Sequence, residues 1–247
     1  MRPLVLFVFA QLLSGNLFAG SILDYIGQGD SLYLADDYPA SIAAYKQALA
    51  SDSLSPETNW KLARSLNIQA ELEPKEKQLA LYEKAAISAT RCIGGDSLIA
   101  EGHFQLARVD GRIALFKGVF KSVSLAKQVK READKAIAIN PNHDGAYHIL
   151  GRWHREVAQK PKFLRVPLGL GEADKKKGLE YFVKALKLNP NYINHHLEYG
   201  ISLLDIGQKD QARAQFEQCL ALPAAHPLEF KYQNEAKEYL ARLKQKN

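Results

Sequence analysis

The chain repeats a short motif at a fixed interval, and this periodicity constrains its fold more than any other feature. The interval is 44 residues from Trp60 to Phe104, and again from Phe104 to His148. Each of these rings is followed, after one residue, by leucine, a small residue and arginine. A repeat of this length is typical of solenoids, in which each unit buries its apolar face against its neighbours.

Two shorter units flank the three copies and share one spacing of small and aromatic residues. The first unit contains Gly29, Leu32, Ser41, Tyr45 and Ala48. The last contains Gly200, Leu203, Ala212, Phe216 and Cys219. This spacing resembles the tetratricopeptide repeat, in which small residues let the two helices of a pair approach closely. We therefore predict an all-α, right-handed solenoid of about five helix pairs.

The chain ends in a further amphipathic segment, from Pro227 to Lys246, which we expect to cap the last pair. Its apolar stripe is formed by Leu228, Tyr232, Ala236, Tyr239, Leu240 and Leu243. The predicted organisation is a signal peptide at 1–20, a first repeat at 21–54, and extended repeats 2–5 with the capping helix at 55–247.

The first twenty residues predict a secretory signal. A short positive start precedes an apolar run from Pro3 to Leu13, which is too short to cross about 30 Å of hydrocarbon. Small residues at Ala19 and Gly20 offer a cleavage site. We expect a periplasmic or secreted chain cleaved near Ala19/Gly20. An uncleaved anchor is the alternative, because Leu17 is large for the position two before the cut.

Four segments resemble the regulator of microtubule dynamics family. They are Trp60–Arg64, Arg131–Pro141, His148–Trp153 with Glu156-Val157, and Gly178–Ala185. The resemblance covers roughly residues 56 to 245. It implies a tetratricopeptide-like interaction domain without catalytic machinery, in a family whose eukaryotic members are linked with microtubules and membrane contact sites. Because an exported protein departs from that setting, we expect the fold to carry over but not the partner.

The repeated ring and arginine are four residues apart, so they share one helix face. In tetratricopeptide arrays that face of the first helix lines the concave groove. Guanidinium groups suit carboxylate or phosphate. The candidate ligand-binding residues are Trp60, Arg64, Phe104, Arg108, Arg112, His148, Arg152 and Arg155. They predict a groove that binds an acidic peptide, a carboxylate or a lipid headgroup. In the alternative, each arginine pairs with an acid on a neighbouring helix and the rings pack between repeats.

A basic insert interrupts the helical pattern after the third copy. Between Arg152 and Lys187 there are ten Lys or Arg residues and four Asp or Glu residues. Lys160 to Gly171 is apolar and basic, and its Pro and Gly residues remove any helical period. Three interpretations stay open: the insert lies on an anionic membrane surface, it closes over the groove, or it packs against the adjacent repeat.

Composition and motifs exclude several function classes. With 47% hydrophobic residues the chain is too apolar to be disordered, and its net charge of +6 does not favour nucleic-acid binding. We expect Cys92 and Cys219 to be buried thiols, with a disulfide as the alternative. Without catalytic, phosphate-binding or metal motifs, we expect no enzyme activity, no cofactor and no metal.

The function we predict is a scaffold or adaptor that binds an anionic peptide or protein partner in its concave groove. The alternative is a lipid-binding or lipid-transfer solenoid, in which long helices and the Phe163–Leu170 insert enclose an acyl chain. An apolar tunnel beside the arginines distinguishes the second function from the first.

Overall fold

The computed structural model describes residues 22–118 and 121–245, and all regular secondary structure in these residues is helical. The helices are α1 (Ile22–Leu34), α2 (Tyr38–Ser51), α3 (Pro56–Leu72), α4 (Lys75–Gly95), α5 (Ala100–Lys117), α6 (Val123–Ile139), α7 (Asp144–Val157), α8 (Lys162–Arg165), α9 (Lys175–Leu188), α10 (Ile193–Leu204), α11 (Lys209–Ala221) and α12 (Pro227–Lys244). A short 3-10 helix, Val166–Leu168, follows α8. The predicted signal peptide and its cleavage site lie outside the described residues.

The helices pack in consecutive pairs, as the repeat pattern predicts. Helix α1 packs on α2, α3 on α4, α5 on α6, α7 on α9 and α10 on α11. The insert, with α8 and the 3-10 turn, separates the two helices of the fourth pair. Helix α12 packs against α10 and α11. The predicted all-α fold of five pairs with a capping helix is therefore confirmed.

Small residues set the distance between the two helices of a pair. A Cβ atom added at Gly151 would lie 2.8 Å from the Phe182 ring, and one added at Gly200 would lie 2.6 Å from the Phe216 ring. Both rings are completely buried. The repeated small residue is therefore required because the aromatic ring of the second helix occupies the space of a side chain.

The helix ends follow local sequence signals. Helices α6 and α9 stop just before Asn140 and Asn189, each of which precedes a proline. Proline disfavours helical backbone in the residue before it, so these stops were predictable. At the other end, the Asp174 side chain accepts hydrogen bonds from the backbone N–H groups of Lys176 and Lys177 and caps α9.

Cys92 and Cys219 are free thiols with no solvent exposure, as predicted. Cys92 lies beneath Gly102, where an added Cβ would be 2.6 Å from its sulfur atom. Cys219 belongs to the apolar core between the last pair and α12. Both act as small apolar side chains, and the alternative disulfide is not formed.

The array curves far enough for its last helix to contact its first repeats. Lys231 Nζ donates to the Glu71 carbonyl oxygen at 2.6 Å, and the Tyr232 hydroxyl donates to Glu71 Oε2 at 3.1 Å. At the start of α12, His226 Nδ1 is 3.0 Å from Asp36 Oδ1. Helix α12 thus does more than cap the last pair, since it also forms a wall across the concave side.

Within residues 22–118 and 121–245, no helix combines the length and the apolar character that crossing a membrane requires.

Candidate functional site

A polar cavity of about 370 Å³, which we name the arginine cavity, lies between the middle helix pairs and α12. Its walls come from α3, α4, α5, α7, α10 and α12. The charged residues that line it are Arg112, Arg152, Arg155, Lys231, Glu71, Glu156, Glu198, Asp205 and Glu235. Cations and anions therefore face each other across this space, and their pairing decides what it can bind.

Glu71 of α3 holds two arginines of α5. Its carboxylate accepts from Arg108 Nη2 at 2.8 Å and from Arg112 Nη2 at 2.6 Å. Burial alone would raise the pKa of Glu71, but the charges of Arg112 and Arg108 outweigh it and lower the pKa to about 2. Glu71 is thus ionised at physiological pH, and its single negative charge is shared by two guanidinium groups.

Glu198 of α10 plays the same part for two arginines of α7. Arg155 Nη1 lies 2.6 Å from Glu198 Oε2, and Arg152 Nε lies 3.1 Å from Glu198 Oε1. Burial raises the pKa of Glu198, but Arg152 and Arg155 together lower it to about 2. Arg155 has a second carboxylate partner, Glu156, whose Oε1 is 2.8 Å from Nη2.

Arg152 is the least compensated of these guanidinium groups. Like Arg108 and Arg112, it forms one ion pair among the described residues, in its case with Glu198 through Nε. Unlike theirs, its pKa is lowered. Burial lowers the pKa of Arg152, Glu198 opposes the shift, and the neighbouring charges of Arg112 and Arg155 lower it further. The two terminal nitrogens of Arg152 are the natural donors for an added anion.

An apolar slot of about 50 Å³ adjoins the arginine cavity. It lies between α5, α6 and α7, and its apolar walls include Val129, Ile149 and Trp153. Its remaining lining includes Arg108, Arg112 and Arg152. The slot therefore has room for a small alkyl group directly beside the guanidinium groups.

The structure brings four of the eight predicted residues together at this site. They are Arg108, Arg112, Arg152 and Arg155. Arg64 lies elsewhere: its guanidinium stacks on the Tyr33 ring at 3.5 Å, is 5.0 Å from the Trp60 ring and comes within 3.7 Å of Asp30. The predicted ring and arginine of this copy do share a face, but they line neither space.

The other two predicted rings lie between neighbouring pairs. Phe104 packs on the His143 ring, with centroids 4.5 Å apart. His148 packs edge-on against Phe182 at 5.5 Å, and its Nδ1 is 2.9 Å from Nδ1 of His195. The contacts with His143 and His195 cross between neighbouring pairs and match the alternative interpretation of the rings as inter-repeat packing. The contact with Phe182 lies within the fourth pair, and ligand binding by these rings stays a prediction.

The histidine contacts form a directed hydrogen-bond chain. Burial raises the pKa of Asp144, but the hydrogen bond from His195 outweighs it and lowers the pKa, so the carboxylate accepts from His195 Nε2 at 2.9 Å. His195 Nδ1 must then accept the proton of His148 Nδ1. Burial lowers the pKa of both histidines, so both rings are neutral. No group of three or more potential metal ligands occurs within 22–118 and 121–245.

The sequence offered pairing of each arginine with an acid on a neighbouring helix as an alternative, and the ion pairs match it. It did not identify Glu71, Glu198 or α12 as the parts of the site that provide this pairing. Glu71 follows Ala70 and Glu198 follows Leu197, and all four residues are buried. An acid within an apolar helical stretch indicates that the acid is buried with a charged partner. The repeated arginines were the available partners in the sequence. No such signal marks Tyr232, because its contact with Glu71 depends on the curvature of the whole array.

The family model described as "Regulator of microtubule dynamics protein 1-3" matches residues 25–244 of this chain. Among curated proteins, regulator of microtubule dynamics protein 1 of Bos taurus is 26% identical over 208 residues, which cover 79% of this chain and 64% of that protein. Protein 3 of Rattus norvegicus is 27% identical over 176 residues, covering 66% and 36%. The aligned part thus spans less than two thirds of these relatives.

Solved structures with the same architecture include a tetratricopeptide repeat protein. This thermophilic protein, from Thermus thermophilus, aligns with a TM-score of 0.67 and 17% identity, covering 90% of this chain and 100% of that chain. PilF of Pseudomonas aeruginosa aligns with a TM-score of 0.51 and 17% identity, covering 91% and 90%. At these identities the likeness establishes the fold alone.

Proposed function

The chain belongs to the regulator of microtubule dynamics family, and on that basis we propose that it is a non-catalytic interaction module. The tetratricopeptide-like fold is a protein-interaction fold, which supports a scaffold or adaptor role. The partner we propose is a protein that places an anionic segment in the arginine cavity.

The single observation that carries this proposal is the state of Arg152. Its side chain is 14% exposed, it pairs with Glu198 through Nε, and Arg112 and Arg155 add positive charge beside it. A carboxylate that accepts from its terminal nitrogens would relieve this repulsion in a place where water screens poorly. The cavity is lined by four cations and five acids, so binding is expected to be driven by the local surroundings of Arg152 and not by an excess of positive charge in the whole cavity.

The apolar slot refines the chemistry of the proposed ligand. A carboxylate on the guanidinium groups would place a neighbouring alkyl group at the mouth of the slot, beside Ile149 and Val129. A peptide supplies both groups when a small apolar residue adjoins its acidic residue or terminal carboxylate. This combination favours a peptide over a free inorganic anion.

The slot also weighs against the alternative of an enclosed acyl chain. A lipid carrier needs an apolar tunnel beside the arginines, and the slot holds about 50 Å³. An apolar cavity that binds benzene has a volume of about 150 Å³, and the slot has about a third of that volume. The peptide-binding function is therefore the better supported of the two.

Native mass spectrometry of the protein, purified gently from its own cells, tests the proposal. We expect a bound polypeptide that dissociates at high salt. A bound mass released by organic solvent would contradict the peptide proposal and support the lipid alternative. The mass of the bare protein in repeated low-salt preparations would contradict both.

A further inference from the structure

The insert between α7 and α9 is a rigid structure held by a buried arginine. Arg165 is 6% exposed. Its Nε donates to the Lys160 carbonyl at 2.7 Å, and its Nη1 donates to the carbonyls of Ala173 at 2.6 Å and Leu170 at 3.3 Å. Three hydrogen bonds from one guanidinium group close both ends of the insert on each other. Its shape is therefore fixed by internal contacts.

This rigid insert presents apolar side chains to solvent. Phe163 is 73% exposed, Leu164 is 48% exposed and Val166 is 55% exposed. Packing of Phe163, Leu164 and Leu168 against the adjacent repeat is one of the three interpretations of the sequence. It applies to Leu168, which joins the core with Leu170, and is wrong for Phe163 and Leu164. Three large apolar side chains within four residues form an exposed patch, which marks an interaction surface when its backbone is held in place.

Cations surround the patch. Lys160 and Lys162 are exposed on the insert itself. Lys127 of α6 lies against the insert, because a Cβ atom added at Gly169 would be 3.1 Å from its Nζ atom. The adjoining groove carries Arg131 and Lys135 of the same helix. Asp134 and Glu172 of this groove both lie within 4 Å of Lys130, and Arg131 and Lys135 both pair with Glu132. Among the described residues, the cations near the patch that form no ion pair are therefore Lys127, Lys160 and Lys162.

We propose that this insert docks the protein on an anionic lipid bilayer. Phe163, Leu164 and Val166 enter the boundary between headgroups and acyl chains, while Lys160 and Lys162 contact lipid phosphates. A bilayer fits these observations because it accepts a small, protruding apolar tip without a complementary pocket. Its anionic headgroups also attract the positive charges around the tip. No residue of the insert from 160 to 168 lines the arginine cavity, so this activity is separate from peptide binding.

Flotation with lipid vesicles tests the proposal. We expect the full chain to float with vesicles of phosphatidylcholine and phosphatidylserine, and to stay in solution with vesicles of phosphatidylcholine alone. Phe163→Ser should weaken binding about tenfold, since it removes the largest apolar group from the interface. Reversing both charges, in Lys160→Glu with Lys162→Glu, should weaken it by at least about tenfold.

Matched variants control for general loss of apolar or positive surface. Leu98 is 75% exposed in the turn between α4 and α5, and Lys46 is exposed on α2. Leu98→Ser and Lys46→Glu should float like the unaltered protein. The proposal is overturned if the unaltered protein does not float, if it binds both vesicle types equally, or if Phe163→Ser and Leu98→Ser have the same effect.

A fluorescent label measures whether the patch enters the bilayer. Because Cys92 and Cys219 are buried, a cysteine in Leu164→Cys is the one exposed thiol among the described residues. An environment-sensitive dye on it should shift to the blue with anionic vesicles, and the same dye on Leu98→Cys should not. Flotation without a shift at Leu164→Cys would show binding through another surface and would overturn the proposal.

Discussion

Arg152 Nε lies 3.1 Å from Glu198 Oε1, and among the described residues this contact is the one ion pair that Arg152 makes. Glu198 is shared, since its other oxygen is 2.6 Å from Arg155. One carboxylate therefore serves two buried guanidinium groups of the same helix. Among the described residues, this arrangement leaves the terminal nitrogens of Arg152 without an ion pair.

The Glu71 network should contribute strongly to stability. Glu71→Gln removes the negative charge between Arg108 and Arg112, at a side chain that is 5% exposed. Because two partly buried guanidinium groups, 14% and 22% exposed, then lose their carboxylate partner, we expect the free energy of unfolding to fall by about 3 kcal/mol, the lower end for a buried pair. Denaturant titration measures this change.

Glu83→Gln is the matched control for that variant. Glu83 pairs with Lys117 at 3.4 Å, and both side chains are about half exposed. Exposed pairs of this kind contribute about 0–1 kcal/mol. Equal effects of the two substitutions would show that the Glu71 network is not the stabilising centre that its burial indicates.

The close approach of paired helices predicts a steric effect at Gly200. Gly200→Ala places a Cβ atom 2.6 Å from the Phe216 ring, so the ring or the helix must shift. We expect a loss of about 1–3 kcal/mol, which a smaller side chain in Phe216→Leu should partly restore. Thermal unfolding of the single and double variants measures both effects.

Gly94 provides the contrast on α4, because an added Cβ there has no neighbour within 4 Å. Gly94→Ala should stabilise the protein by up to about 1 kcal/mol, since alanine favours the helix. A destabilisation as large as that of Gly200→Ala would argue against the steric account.

Buried neutral histidines should make the fold sensitive to acid. Burial, with the charges of Lys177 and Lys130, lowers the pKa of His154 from 6.5 to about 4. The unfolded chain thus binds this proton more readily than the folded one. The contribution of neutral His154 to the free energy of unfolding is complete above pH 6.5. It is lost as the pH falls towards about 4, which lowers the free energy of unfolding by about 3 kcal/mol.

Denaturant titrations between pH 7.5 and 4.5, with NMR titration of the imidazole, check this prediction. The His154 resonances should stay unchanged until the pH approaches its lowered pKa. His226 serves as the contrast, because its hydrogen bond with Asp36 raises its pKa. The contribution of His226 to stability is present at low pH and is lost as the pH rises through its raised pKa. Midpoints near 6.5 for both histidines would contradict the account.

The sequence predicts the fold well, because its signals are local and repeated. The small residue at Gly200, the ring at Phe216 and the Asn-Pro stops each act within one helix pair. The site is less predictable, because Glu71 meets Tyr232 only when the curvature of five pairs brings α12 back to α3. That curvature is the sum of small rotations at every interface between pairs, and no single motif encodes it.

The insert shows a second limit of sequence reasoning. Its composition left three interpretations open, and the choice depends on where Arg165 donates its hydrogen bonds. Those acceptors are backbone carbonyls, which carry no signature in the sequence. Exposure of Phe163 therefore had to be seen in the structure.

The most direct test of the central claim uses native mass spectrometry to measure the fraction of protein that carries a bound polypeptide. It compares this fraction between two variants and the unaltered protein. Arg152→Gln removes the partly unmatched guanidinium group, and Arg91→Gln removes an exposed arginine of α4 as a control. We predict that the bound fraction falls at least about tenfold for Arg152→Gln, as expected when a buried charged contact is lost. The control should bind as the unaltered protein does. Equal bound fractions for all three, with helix content unchanged, would contradict anion binding at Arg152.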